Sequence, residues 1–172
     1  INNLALLYTH QGAYQKATPL FDKALKILGN KFGEQHPSVA LCLNNKAGVM
    51  IDIGKLEEAE PLIKRSLKIR EAIFGTDHPD IAQCYNNLAN MHGSTGEFEK
   101  AEIFIKNAIE IGENVFGSDH HMVGVFLNNL AMLNLIQGNF DNAAPLFKRV
   151  KTIFKATFGE NHLSIAICLN NL

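Results

Sequence analysis

Neither sign of charge is in excess. Sixteen Lys and Arg against seventeen Asp and Glu leave a formal charge of −1 over 172 residues, so the chain lacks the basic field that nucleic-acid binders carry. No apolar run approaches the ~20 residues that span a bilayer. GxGxxG, Walker and paired-Cys motifs are missing as well. These absences leave no nucleic-acid, membrane or nucleotide partner to argue for. What remains is a chain with 47 % apolar residues, enough to fill a core.

The dominant feature is a repeat. INNLA at Ile1 returns as LNNKA at Leu43, YNNLA at Tyr85, LNNLA at Leu127 and LNNL at Leu169, each 42 residues after the last. Units 1–42, 43–84, 85–126 and 127–168 align without a gap, with a partial fifth at 169–172. Ala5, Gly12, Ala17, Ile27, Phe32, Gly33 and His36 recur at equivalent places in every unit. Such self-similarity decides the architecture before any local reading. Because both termini fall inside the motif, we expect a piece of a longer protein.

Each unit predicts two helices. The first begins after a His-Pro such as His36-Pro37, crosses the Asn pair and stops near Gly54; proline suits a helix start and glycine the position past its end. The second is predicted over Tyr14–Phe32, Leu56–Phe74, Phe98–Phe116 and Phe140–Phe158. There Ala17, Leu20, Phe21, Ala24, Ile27 and Leu28 keep the i, i+3, i+4, i+7 spacing of one helix face. Pro19, Pro61 and Pro145 lie inside it, where proline ordinarily breaks a helix. The apolar pattern runs on past them, so a continuous, mildly bent helix is expected. The fold class is all-α, with antiparallel helix pairs stacked in tandem.

Cys42, Cys84 and Cys168 share one place in the period. Stacked units hold equivalent residues at least ~8–10 Å apart, beyond the ~7 Å limit on Cα separation in a disulfide. Small buried apolar residues are therefore expected, which fits a reducing, cytoplasmic setting.

The pattern LNNLA…G.F..A.PL.KR…I…FG..H resembles the tetratricopeptide repeat in its long, 42-residue form, as found in kinesin light chains. Ala131, Gly138, Phe140, Ala143, Leu146, Phe147 and Val150 carry the small-and-large pattern by which such repeats interlock. The resemblance covers the whole chain. It implies a right-handed α-solenoid, one array with a concave groove in which an extended partner segment lies, and a non-enzymatic adaptor or scaffold. The alternative is a sensor or autoinhibitory region of a larger signalling protein that contacts its own neighbouring domains. A P-loop NTPase elsewhere in the full-length chain would favour the sensor, an N-terminal heptad coiled coil the adaptor.

On a helical wheel, Ile1, Leu4, Ala5 and Tyr8 face the partner helix, and the Asn pair faces away. In resembling proteins that far side lines the groove. An amide offers donors and an acceptor together, so it can grip a peptide backbone without reading its sequence. Asn2, Asn44, Asn45, Asn86, Asn87, Asn128 and Asn129 are thus candidate rungs, joined by Asn90. The competing role is structural, with Asn side chains of adjacent helices bonding each other or a neighbouring carbonyl. Kinesin light chains accept acidic cargo through basic groove residues, yet no Lys or Arg occupies those slots here. In the fourth unit Met132, Leu135 and Ile136, with Val125 a turn earlier, suggest an apolar pocket.

His36, His78, His120 and His162 recur at one loop position and are expected to cap helices, since they are too dispersed to share a metal. No metal or other cofactor is expected, and no nucleophile stands beside a base in the pattern catalysis requires. The basic run Lys64, Arg65, Lys68 and Arg70 is read as a solvated outer face. Terminal units without polar caps expose apolar surface, so fraying or end-to-end self-association is expected.

Overall fold

The computed structural model describes residues 1–160, which form eight α-helices and, within that range, no strand. These are α1 (Asn2–His10), α2 (Tyr14–Phe32), α3 (Pro37–Asp52), α4 (Leu56–Phe74), α5 (Pro79–Ser94), α6 (Phe98–Phe116), α7 (His121–Ile136) and α8 (Phe140–Phe158). The even-numbered helices begin and end where the pattern predicts. Pro19, Pro61 and Pro145 sit inside α2, α4 and α8 without ending them. All three prolines are exposed, so each freed carbonyl of the missing i→i−4 bond can turn to water. His162, Cys168, the partial fifth unit and the expected fraying at that end lie outside the described residues.

The turns explain the sharp helix ends. Gly33, Gly75, Gly117 and Gly159 close the long helices with φ between 77° and 88°, a backbone region that a side chain disfavours. Three residues on, a histidine opens the next helix. His36 Nδ1 accepts from the Ser38 amide at 3.2 Å, His78 Nδ1 from Asp80 at 3.2 Å and His120 Nδ1 from Met122 at 3.3 Å. The same rings stack on Phe32, Phe74 and Phe116 at 4.6, 4.1 and 4.3 Å. One histidine thus caps a helix N-terminus and is held by the end of the helix before it.

The structure divides into two compact units, Ile1–Asn87 and Leu88 onward. In the first, α1 packs on α2, α2 on α3 and α3 on α4. Its core includes Val39, Ala40, Leu43 and Ile69, flanked by Leu25, Leu28 and Leu62. In the second, α7 lies against both α6 and α8. Val123, Leu127, Val150, Ile153 and Phe154 form one cluster there, and Ala131, Ala143 and Phe147 another. Two glycines make room for aromatic rings: a Cβ at Gly124 would lie 2.6 Å from Phe154, and one at Gly112 3.3 Å from Phe126. The wheel placed Ile1 and Leu4 on a buried face, and the structure corrects this. Leu4 is 45 % exposed, whereas its equivalent Leu130 is 8 % exposed. Leu130 faces α6, the long helix of the preceding repeat, whereas Leu4 lies on α1, the first described helix.

A buried polar cluster interrupts the first unit. Arg70 belongs to the basic run read as solvated, yet it is fully buried. Its Nη1 donates to the Asp80 carbonyl and lies 3.5 Å from Cys84 Sγ, while Nε is 3.9 Å from the Asp80 carboxylate. Nε and Nη2 have no hydrogen-bond partner. Ser66 Oγ, buried beside them, donates to the Ala40 carbonyl at 2.7 Å and is 3.6 Å from Cys84 Sγ. Leu28 holds the equivalent of position 70 in the first repeat. A buried ion whose bonds are incomplete often contributes less than a hydrophobic side chain in its place. Arg70→Leu should therefore match or exceed the wild type in urea denaturation, whereas Arg70→Ala, which leaves a cavity, should cost about 2–4 kcal/mol.

Cys42 and Cys84 are free and buried, as the period implied. Cys42 Sγ–H points at the Phe21 carbonyl, 3.7 Å away. Burial pushes its thiol from an ordinary value near 9 up to about 11, against a smaller opposing pull from Lys46. Because the folded state holds the proton more tightly, this contribution is complete below pH 9 and is lost as pH rises towards 11. Wild type should accordingly lose stability relative to Cys42→Ala across that window, and a thiol reagent at pH 8 should label Cys42 only after unfolding.

Candidate functional site

In the second unit the short helices place their free faces around a pocket. The last turns of α5 supply Ala89, Asn90, Gly93 and Ser94, α7 supplies Asn129, Met132, Leu133 and Ile136, and Ile105 of α6 forms part of the floor. The volume is about 230 Å³, smaller than a drug-sized site and suited to one large side chain. Its shape comes from unequal partners at equal positions. Gly93 and Ser94 stand where the fourth repeat has Leu135 and Ile136, so small residues on α5 oppose large ones on α7. No Lys, Arg, Asp or Glu lines it. Ser94 Oγ already donates to the Met91 carbonyl at 2.7 Å, which leaves its oxygen as an acceptor.

A polar brace stands beside the pocket, at the α5–α6 turn. His92 Nδ1 lies 2.7 Å from Glu97 Oε2, Lys100 reaches the same oxygen at 2.8 Å, and the His92 ring stacks on Phe104 at 5.4 Å. Hydrogen bonds from Lys100 and then His92 hold the Glu97 carboxyl below its usual range. The brace ties the end of α5, which carries Gly93 and Ser94, to the start of α6.

Among the sequence candidates, the structure brings Asn90, Asn129, Met132 and Ile136 together here. Leu135 is not among the lining residues; it packs on the Ala131, Ala143 and Phe147 cluster. Val125 is likewise drawn to the Val123 and Leu127 cluster. Sequence reasoning missed Ala89, Ile105 and Leu133, whose apolar character marks them only as core. Among the described residues no group of three or more His, Cys, Asp or Glu is placed to hold a metal. No described helix is long and apolar enough to cross a membrane.

The Asn pairs have unequal surroundings. Asn44 is only 4 % exposed. Asn87 Nδ2 donates to both the Asn44 side-chain oxygen, at 3.1 Å, and the Asn44 carbonyl, at 3.3 Å. Here the first Asn of one repeat is clasped by the second Asn of the next, the structural role foreseen for the motif. The clasp is not repeated between Asn2 and Asn45: Asn2 Oδ1 is buried without a hydrogen-bond partner, and Asn45 is half-buried. Asn128 Oδ1 is also buried without a partner, and the residue at the matching offset, Asn171, lies outside the described residues. Asn86 is half-buried and makes contacts of its own.

A tetratricopeptide repeat model matches the sequence over residues 1–60, 41–114, 94–150 and 123–172. The structure is similar to BtubC (BKLC) from P. vanneervenii, with a TM-score of 0.75 and 27 % identity, over 94 % of this chain and 64 % of that one. This chain thus spans less than two thirds of that protein. It is also similar in fold to a Podosopora anserina protein of nearly identical TPR-like repeats, assigned to the kinesin light chains. There the TM-score is 0.75 and the identity 22 %, over 99 % of this chain and 81 % of that one. No curated protein matches the sequence.

The Asn44–Asn87 clasp makes an asymmetric prediction. Asn87→Ala leaves a buried Asn44 oxygen unpaired and should cost about 1–3 kcal/mol, whereas Asn44→Ala leaves only a half-exposed amide that water can satisfy. A double-mutant cycle in urea should return a coupling of about 0.5–1.5 kcal/mol; additive losses would show that the two side chains do not cooperate.

Proposed function

The chain belongs to the tetratricopeptide repeat family, and on that premise we propose that it is a non-enzymatic protein–protein interaction module, an adaptor or scaffold. It holds an extended segment of a partner across the α5–α7 face of its second unit. The observation that carries this reading is the pocket of about 230 Å³ lined by Asn90, Ser94, Asn129, Met132 and Ile136. Met132, Leu133 and Ile136 supply apolar surface for one anchoring side chain, and the amides beside them suit the peptide bonds that flank it. Similarity to kinesin-light-chain-type repeat proteins supports the class of function. The acidic cargo preference of that family is not carried over, because the pocket presents no cation.

A peptide-array screen with the 172-residue chain supplies the ligand for the test. Met132→Glu places a charge in the pocket, and Gly93→Ile fills it with the residue found at position 51. Burying one apolar side chain contributes roughly 1.5–3 kcal/mol, so either variant should weaken the selected peptide about 10- to 100-fold while the helical circular dichroism persists. Raising salt from low to physiological levels should change the affinity little, since screening acts on charges. Peptide affinity that survives both substitutions, or collapses with salt, would overturn the reading.

A further inference from the structure

The long helices form a second kind of cleft, on the other side of the short helix between them, and its two copies differ. In the first unit α2 and α4 flank α3. Lys46 of α3 carries a side chain only 17 % exposed, and its ammonium reaches Asp22 of α2 at 2.6 Å. Arg65 pairs with Glu34 at the other end, where the Glu34 carboxylate takes the room that a side chain on Gly29 would need.

In the second unit α6 and α8 flank α7 in the same way. Arg149 pairs with Glu113 at 2.6 Å, so the helix residue that replaces Gly29 supplies the carboxylate that Glu34 supplied from a loop. The Lys46 position is now Leu130, too short to cross the cleft. The Asp22 position is Lys106, whose ammonium turns back along α6 to Glu102 at 2.6 Å. A cleft of about 320 Å³ is left open, lined by Ile109, Leu127 and Leu130, by the ion-paired Lys106, Glu113 and Arg149, and by Glu110. Glu110 is exposed and in no ion pair among the described residues.

We propose that this α6–α8 cleft is a docking site for a lysine side chain presented by a partner protein. Lys46 already shows the mode within the molecule, with a mostly buried aliphatic stem and an ammonium held by an exposed carboxylate. Charge complementarity gives the same sign. Arg149 is committed to Glu113 and to the Ser118 carbonyl at 3.0 Å, and Lys106 to Glu102, so the uncommitted rim charge is that of Glu110. An apolar ligand would leave this carboxylate unused, and an anionic one would meet it directly. The site shares no residue with the pocket between α5 and α7, so each proposal stands or falls alone.

The test titrates the isotope-labelled chain with Nα-acetyl-lysine methylamide and, separately, with Nα-acetyl-norleucine methylamide, following amide shifts. The lysine probe should move resonances of Ile109, Glu110, Leu127 and Leu130 and bind roughly 2- to 5-fold tighter than norleucine, as expected for one partly exposed charge pair. Glu110→Gln should erase that difference. A second variant, Leu130→Lys with Lys106→Asp, reproduces the Lys46–Asp22 arrangement; it should fold normally and abolish the lysine response. Equal affinity for the two probes, a lysine response that survives both variants, or cleft resonances that shift with protein concentration alone would overturn the proposal. The last result would assign the cleft to a second copy of the chain.

Discussion

Close approach between helices, enforced by alanine, is the constraint on which the rest of this structure depends. Ala5, Ala17, Ala47, Ala59, Ala89, Ala101, Ala131 and Ala143, two per repeat, are all buried. A residue with no side chain beyond Cβ lets neighbouring helix axes come near the lower end of the usual ~8–10 Å range. In a close-packed interface even one added methylene is felt. These positions are alanine in all four repeats. Every other position is judged against the gap that they set.

Variation is concentrated where one residue can compensate another. The residue at position 28 of the period is Leu28, Arg70, Gly112 and Phe154, and the residue at position 42 is Cys42, Cys84 and Phe126 in the repeats described. Where position 42 is large, as at Phe126, the facing residue is Gly112, and their contact is tight. Where it is Cys84, an arginine reaches across to the sulfur and on to the Asp80 carbonyl. The helices stay packed there while the chemistry between them changes from apolar to polar. Burial also raises the Cys84 thiol despite the guanidinium beside it, because desolvation exceeds the attraction of one neighbouring charge. The solenoid repeat thus fixes geometry and leaves polarity free.

The boundaries of α2, α4, α6 and α8 were legible to the residue because each is punctuated by the same Phe-Gly end, and four copies of one pattern average out local ambiguity. The proline-containing helices were legible for a related reason: an apolar face that continues past a proline outweighs one lost hydrogen bond. The role of the Asn pair was not legible. An amide has the same donors and acceptor whether it faces a ligand or a neighbouring helix, and only burial separates the two. Asn44 is buried because Asn87 comes over it, a fact set by the stacking of two repeats and absent from either one. Leu135 failed for a different reason. It lies four residues, or about 40° on the wheel, from Ala131, and so belongs to the face that packs on α8. Arg70 failed because a run of charges was read as one surface, while successive residues of a helix turn by 100°.

Helix α7 carries both proposed sites on opposite sides of its circumference. Asn129, Met132, Leu133 and Ile136 line the pocket towards α5, and Leu127 and Leu130 line the cleft between α6 and α8. Helix α6 also serves both, with Ile105 on one site and Ile109, Glu110 and Glu113 on the other. An occupant of either site therefore acts on the other only through the seating of α6 against α7. That seating is tight, since Gly112 of α6 brings Phe126 and Val123 of α7 within 3.3 Å of where its Cβ would lie. A contact so close resists small adjustments and transmits whatever displacement it accepts. Any coupling between the sites must then be reciprocal, each ligand changing the affinity of the other by the same factor. If both proposals hold, one pair of helices would read two features of a partner, an apolar anchor on one side and a cation on the other.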